Sequence, residues 1–336
     1  MRNTRYPFLL FWSAIALVAI IIAGTFWGTA SIPWDQKLAV LLRQPDAKAG
    51  LTAIIWEWRM PRALACAAVG AALALSGALI QTALRNPLAD PYLLGLSSGA
   101  SAAAVAAIII LPAGIVATMG LPLIAFLGAA FAFGFTLLMA YSRERPMDRL
   151  MVILAGVAVS LLFQSATAFL LHISEPNAAK AALAWLMGSA AGTTWSELPL
   201  ITIALATVSL WAITQHKQLD ALLMGDARAT SLGVAITPIK LTIFVTTALL
   251  CGLGVAIMGI VGFIGLIVPH LARQLCGSAH KQLLPLAMLL GAFILVFTDL
   301  LCRVLLAPSE IPLAVLLALF ATPPFIVILR QTRHVA

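Results

Sequence analysis

The chain reads ALACAAVGAALALSGALIQTA from Ala63 to Ala83, and Arg59-Met60-Pro61-Arg62 comes directly before this run. A bilayer core about 30 Å thick requires roughly 20 consecutive apolar residues in each helix that spans it. The run has that length and contains no charged residue. It therefore predicts a transmembrane helix with two arginines at its amino-terminal end.

Composition extends this interpretation to the whole chain. Of the 336 residues, 62% are hydrophobic and 10% are charged, and the mean hydropathy is +1.06. This balance excludes a soluble domain. We predict an all-α polytopic transmembrane bundle of about ten helices, forming a single domain over 1–336. Nine of them are spans, predicted near 8–30, 63–83, 93–112, 116–140, 150–172, 197–214, 239–259, 283–303 and 312–329.

The tenth segment is a shorter apolar stretch, 260–271, which is interrupted by glycines and by Pro269. Irregular backbone at membrane depth is tolerated only when it is buried in protein. The stretch therefore predicts a half-length helix. His270 is expected at its end as a hydrogen-bonded cap, because no second His, Cys or carboxylate stands nearby at the spacing of metal ligands.

The positive charges predict the orientation. Thirteen of the 20 Lys and Arg residues fall on one side of the predicted topology, which places that side and both termini in the cytoplasm. The net charge of +8 then requires no nucleic acid. Arg59, Arg62 and Arg303 fall on the outer side. They either meet an acidic partner there, or extend to lipid headgroups and pair with Glu57 and Asp299.

Several classes of chemistry have no sequence support. No segment fits Gly-x-x-x-x-Gly-Lys-Ser/Thr, the phosphate-binding loop of nucleotide hydrolases, so an ATP-driven function requires a second polypeptide. A buried Asp costs about 2.5 to 3.5 kcal/mol on insertion scales and often marks a transport pathway. Asp299 is the clear acidic candidate, and an ion pair with Arg303 four residues later is its simpler explanation. The four cysteines are isolated and predict packing residues.

Two polar features each allow two interpretations. Gln81 and Gln164 either line a pathway or form hydrogen bonds between helices. The inner segment 215–240 alternates apolar and polar residues and predicts a helix that ends at Gly233. That helix either lies against the membrane or is presented to a cytoplasmic protein.

A set of short motifs recurs in order over roughly 50–330. They are Arg59-Met60-Pro61-Arg62, Gly70 to Gly77 with Gln81, Asn86-Pro87-Leu88-Ala89 with Pro91 and Leu94-Gly95, Leu154 to Val157, Trp185 to Gly188, Leu223-Met224-Gly225 with Ala229 and Leu232-Gly233, Gly262 to Leu266 with Pro269-His270 and Arg273, Asp299 with Arg303, and Glu310-Ile311-Pro312. Through these motifs the sequence resembles the permease subunits of binding-protein-dependent ABC importers for iron chelates and cobalamin, of the type II architecture. It differs locally at Ala314, where the family usually has Gly, and at Ala321-Thr322-Pro323-Pro324, where the family has Gly-x-Pro.

The resemblance implies a homodimer in a bacterial inner membrane, with the translocation path at the dimer axis. Two copies of a cytoplasmic ATPase would bind ATP and Mg, and a periplasmic binding protein would deliver an iron chelate (siderophore or haem) or cobalamin. This chain would bind no cofactor and would not be an enzyme. An ion-coupled secondary carrier of a bulky solute is the alternative, and the scarcity of ionisable residues in the spans argues against it.

The resemblance also assigns residues to roles. Arg59, Arg62 and Arg303 match the positions that dock the binding protein. Residues 215–238 match the helices that fit a groove on each ATPase, with Leu222, Leu223 and Leu232 expected on the packing ridge. The full coupling set is Leu219, Leu222, Leu223, Gly225, Asp226, Arg228, Ala229, Leu232 and Gly233. The path is expected to include Gln81, Ser160, Gln164 and Ser165.

Overall fold

A computed structural model describes residues 5–29, 32–42, 49–112, 120–141 and 148–332. Within these ranges the regular secondary structure is entirely helical, as predicted. In chain order the elements are α1 (Tyr6–Phe26), α2 (Trp34–Leu41), α3 (Ala49–Ala53), a π-helical segment (Ile54–Arg59), α4 (Met60–Ala83), a 3₁₀ turn (Pro91–Leu94), α5 (Leu96–Ile110), α6 (Leu121–Ala140), α7 (Arg149–Ile173), α8 (Pro176–Leu186), α9 (Leu198–Thr214), α10 (His216–Leu223), α11 (Asp226–Ser231), α12 (Ile236–Met258), α13 (Ile264–Cys276), α14 (His280–Val304) and α15 (Leu313–Thr332).

Each predicted span coincides with one of these helices. Six helical stretches are long and apolar enough to cross a bilayer, and one of them is the continuous stretch Gly50–Ala83 that contains α4. A seventh span arises if α9 and α10, which meet at an angle of 66°, are counted as one. The spans predicted near 93–112 and 312–329 fall on α5 and α15, whose apolar helical parts are shorter.

Helix α4 is the centre of the bundle and packs against α1, α9, α12, α13 and α14. Its small side chains permit this close packing. A Cβ added at Gly70 would overlap the backbone of Gly291 on α14, and one added at Gly77 would overlap the backbone of Gly265 on α13. Gly70 and Gly77 are therefore positions where helix backbones touch and a larger side chain would not fit.

The half-length helix lies later in the chain than predicted. The prediction of 260–271 is wrong at both ends, since α13 begins at Ile264, after Phe263 with φ +66°, and continues to Cys276. Pro269 is tolerated inside this helix. Proline has no N–H for the carbonyl four residues earlier, and that carbonyl, on Gly265, accepts a hydrogen bond from the Gln81 side chain at 3.2 Å.

The new boundaries also correct the role predicted for His270. This residue lies inside α13, where its ring nitrogen contacts the Gln274 side chain at 3.2 Å, and it does not cap a helix end. The inner segment differs as well: two short helices, α10 and α11, replace the one predicted. They are separated by Gly225, whose φ of +104° is incompatible with a continuous helix.

Candidate functional site

The first cluster of charged residues forms where α4 begins and α14 ends, which we name the arginine end. Arg62 donates from Nε to Asp299 at 2.8 Å, and its two terminal nitrogens donate to the carboxylate of Glu310 at 3.0 and 2.9 Å. The contact with Glu310 is thus bidentate, the strongest geometry for this pair of groups. Arg62 and Asp299 are buried, whereas the Glu310 side chain is partly exposed.

Arg303 and Arg59 complete this cluster. Arg303 lies 3.0 Å from the second Asp299 oxygen, so the predicted i,i+4 ion pair is confirmed. It also donates to the Trp27 carbonyl at 3.2 Å, and Arg59 donates to the Phe26 carbonyl at 3.1 Å. The carboxyl-terminal end of α1 is therefore held by guanidinium groups, which is favourable because carbonyl groups there lack helical partners.

Arg59, Arg62 and Arg303 line one cleft of about 220 Å³, together with Glu310. Pairing with Asp299 is one of the two alternatives that the sequence leaves open for these arginines, and Arg62 and Arg303 do pair with it. All three side chains are buried and form the wall of the cleft. These three guanidinium groups are opposed by the carboxylates of Asp299 and Glu310, so the cluster retains one excess positive charge.

A second cleft, of about 470 Å³, lies between α7, the 3₁₀ turn and the beginning of α13, and we name it the central cleft. Its polar side chains are Asp90, Ser97, Ser160 and Gln164, and the rest of its lining is mainly apolar. On α7, Ser160 and Gln164 share one face because they are four residues apart. Ser165 is the next residue along the helix and is not part of this lining.

Asp90 is the lining residue that sequence reasoning missed. Its carboxylate accepts a hydrogen bond from the Tyr92 backbone N–H at 2.8 Å and caps the 3₁₀ turn. An aspartate directly before proline is the available sequence signal for such a cap. The signal gives no indication that the carboxylate also lines a cleft.

Gln81 is absent from the central cleft and has the second of its two predicted roles, which is bonding between helices. Its amide nitrogen lies within 3.3 Å of the carbonyl oxygens of Ala89, Gly265 and Leu266. Its amide oxygen accepts from Arg273 at 2.6 Å. This buried side chain therefore connects α4, the loop after α4 and α13.

At the other end of α4 lies a second group of charged residues, which we name the aspartate end. One oxygen of Asp220, on α10, accepts from the backbone N–H of His280 at 2.9 Å and from its ring Nδ1 at 2.6 Å. The other ring nitrogen of His280 contacts the Thr82 hydroxyl at 2.8 Å. Burial by itself would raise the pKa of Asp220, but the hydrogen bonds from His280 outweigh it and leave that pKa below its ordinary value.

Asp226 forms the other polar connection of this segment. Its carboxylate binds Lys240 on α12 at 2.9 Å and lies 3.8 Å from Arg85, which follows α4. A Cβ on Gly225 would approach the Arg85 guanidinium to 3.0 Å, so the backbone passes close to that side chain. Helices α10 and α11 are therefore held against the bundle by ion pairs as well as by apolar packing.

Exposure divides the predicted coupling residues into two groups. Leu219, Leu222 and Ala229 are buried in the core of this chain, so the expectation that Leu222 lies on an exposed ridge is wrong. It is wrong because α10 turns that face toward α4 and α14. The side chains exposed on the other face of the segment are Leu223 at 40%, Met224 at 59% and Leu232 at 63%, with Arg228 and Gly233 also exposed.

Comparison with known proteins places the chain in a family. The model of the FecCD transport family matches residues 15–331. The chain is 36% identical over 330 residues to the Fe(3+) dicitrate transport system permease protein FecD of Escherichia coli (strain K12), which covers 97% of this chain and 99% of that protein. It is 39% identical over 282 residues to the hemin transport system permease protein HmuU of Yersinia pestis, covering 82% of this chain and 84% of that protein.

A third relative is the vitamin B12 import system permease protein BtuC of Vibrio cholerae serotype O1, which is 37% identical over 276 residues and covers 81% of each chain. A solved structure described as an inward-facing conformation of a metal-chelate type ABC transporter superposes with a TM-score of 0.84. It is 30% identical and covers 97% of this chain and 99% of that chain. The chain therefore belongs to the FecCD transport family and is a multi-pass membrane permease.

Proposed function

We propose that this chain is the membrane-spanning subunit of an ATP-driven importer that moves an iron chelate (siderophore or haem) or cobalamin into the cytoplasm by alternating access. The observation that carries the proposal is the family match over 15–331, with relatives whose names specify ferric dicitrate, hemin and vitamin B12. All three cargoes are bulky metal complexes, so the proposal specifies the class of substrate and not one compound.

In this proposal the chain lies in the bacterial inner membrane. The arginine end faces the periplasm, and both termini are on the cytoplasmic side. The excess positive charge of the arginine cleft supports docking of an acidic side chain from a substrate-binding protein. Arg59, Arg62 and Arg303 are the proposed docking residues, because all three line this cleft. Charges at such a docking site mainly change the rate at which the two proteins associate and the salt dependence of that rate.

The aspartate end faces the cytoplasm and binds one of two copies of an ATPase that carries ATP and Mg. The support is the exposure of three apolar side chains, Leu223, Met224 and Leu232, on the segment formed by α10 and α11. Exposed apolar side chains on a segment that also carries an exposed arginine, Arg228, are a composition expected of a protein interface.

The central cleft contributes half of the translocation path, and a second copy of the chain completes it. Several of its lining residues, including Leu93, Val157 and Leu161, are exposed in the single chain. A lining that is mostly apolar with a few polar groups suits weak binding of a large chelate. The carboxylate of Asp90 adds a negative charge to that lining.

The test is reconstitution of the chain in proteoliposomes with the ATPase and the binding protein encoded beside it, followed by ATP hydrolysis and chelate uptake. Leu223→Asp is expected to reduce ATPase binding and uptake at least tenfold, because it places a charge in the apolar interface. The matched control is Leu42→Asp, which changes a leucine that is 60% exposed and lies, in this proposal, on the opposite side of the membrane; both activities should stay within twofold of those of the unmodified chain. Normal uptake by Leu223→Asp, or no ATP-dependent uptake by the unmodified chain, would refute the proposal.

A further inference from the structure

His280 has no exposed surface and lies between three helices. It is the first residue of α14, its Nδ1 contacts Asp220 on α10, and its Nε2 contacts Thr82 on α4. We propose that His280 is a positioning residue that couples α10 mechanically to the end of α4. This inference rests on the proposed function, in which α10 is the helix that the ATPase displaces.

The contact between α10 and His280 is stiff for three reasons. Asp220 binds both the backbone and the ring of His280 through one oxygen, which fixes position and orientation together. The carboxylate also lies at the amino terminus of α14, where the helix dipole stabilises negative charge. Ala279, the residue before α14, provides no side-chain cap of its own, so Asp220 supplies the cap from another helix.

The contact also continues beyond Thr82. The adjacent residue, Gln81, binds the carbonyl oxygens of Ala89, Gly265 and Leu266. Ala89 precedes Asp90, and both Asp90 and Leu266 line the central cleft. A displacement of α10 can therefore reach the cleft through hydrogen bonds from Asp220 to His280 and Thr82, then through the helix backbone to Gln81 and through the hydrogen bonds of its side chain.

Contacts between neighbouring residues do not by themselves establish energetic coupling, so the experiment measures the coupling of ATP hydrolysis to uptake. Thr82→Val removes the hydroxyl and keeps the shape, whereas Thr82→Ser keeps the hydroxyl. In proteoliposomes with the ATPase and the binding protein, Thr82→Val is expected to lower the number of chelates taken up per ATP hydrolysed at least fivefold, with hydrolysis within twofold of normal. Thr82→Ser is expected to restore the ratio to within twofold. A purely structural role would lower uptake and hydrolysis in proportion, and that result would overturn the inference.

A second pair of variants tests His280 itself. His280→Leu removes both ring contacts, while His216→Leu changes a histidine at the start of α10 whose ring hydrogen-bonds the nearby Ile213 carbonyl. We expect at least a fivefold loss of the uptake ratio for His280→Leu and less than twofold for His216→Leu. Equal effects of the two variants would refute a specific role for His280.

Hydrogen exchange on the permease alone tests the connection without the ATPase, so it remains decisive even if the proposed function fails. His280→Leu is expected to raise amide exchange at least tenfold both in α10 and in the segment 81–90. An increase confined to α10 would overturn the inference, whatever the reconstitution shows. Absence of ATP-dependent uptake by the unmodified chain would instead refute the proposed function.

Discussion

Replacement of Gly77 by alanine tests the packing at the centre of the bundle. A Cβ at this position would lie 2.5 Å from the carbonyl carbon of Gly265 and 2.6 Å from its Cα, whereas ordinary van der Waals contact begins at 3.4 Å. Both opposing atoms belong to the backbone and cannot rotate away. Helices α4 and α13 must therefore separate by roughly 1 Å, because close-packed interiors transmit such strain.

The separation has a cost that can be worked from the contacts. It breaks the hydrogen bonds from Gln81 to the carbonyl oxygens of Gly265 and Leu266, each worth about 1 kcal/mol. Overpacking adds about 1 to 3 kcal/mol. Alanine regains about 1 kcal/mol of helix propensity. We therefore expect Gly77→Ala to lower the free energy of unfolding by about 2 to 4 kcal/mol.

The assay is unfolding of the purified chain in mixed micelles, by titration with a denaturing detergent and circular dichroism. Gly134→Ala is the matched control, because Gly134 lies in α6 with no atom within 4 Å of the added Cβ. In Gly134→Ala the higher helix propensity of alanine should act alone and raise the free energy of unfolding by up to about 1 kcal/mol. Equal stability of the two variants would refute the reasoning.

Three further changes test the charged clusters. Arg62→Leu leaves the buried Asp299 with a weakened set of partners and should lower the free energy of unfolding by about 3 to 5 kcal/mol in the same titration; a loss below about 1 kcal/mol would contradict the pairing seen here. Glu310→Gln removes one negative charge from the arginine cleft, so stopped-flow mixing with the proposed binding protein should show faster association and a steeper dependence on salt; slower association would count against the proposed docking there. Asp220 has a pKa below its ordinary value, so its contact with His280 contributes stability that is complete above pH 3.8 and is lost as the pH falls through the lowered pKa. The melting temperatures of the unmodified chain and of Asp220→Asn should therefore converge as the pH is lowered below that value, and a constant difference would contradict the assignment.

Much of the fold follows from the sequence, because a bilayer imposes one length and one polarity on each spanning helix. The long apolar runs predict α1, α4 and α14 to within a few residues. Helix α8 is missed, since it lies in a connection and is under no such constraint. The shift of α13 depends on backbone angles at Gly259 and Phe263, which follow from contacts with neighbouring elements rather than from local sequence.

The candidate sites are less predictable, since their partners are remote in the chain. Asp299 follows Arg62 by 237 residues, and His280 follows Thr82 by 198. A local pattern reports only the pairs within a helix, such as Asp299 with Arg303. It also fails to distinguish Leu222 from Leu223, because the buried face of α10 is decided by the helices that it packs against.

The distant pairing of Arg62 has a consequence for biogenesis. A ribosome releases the chain from its amino terminus, so α4 enters the membrane long before Asp299 and Glu310 exist. During that interval the guanidinium must remain at the headgroup level, since lipid hydrocarbon offers it no partner. The mature depth of α4 is therefore reached only when α14 and the segment carrying Glu310 arrive. A nascent chain arrested before 299 should hold Arg62 accessible to water-soluble reagents that the finished protein excludes.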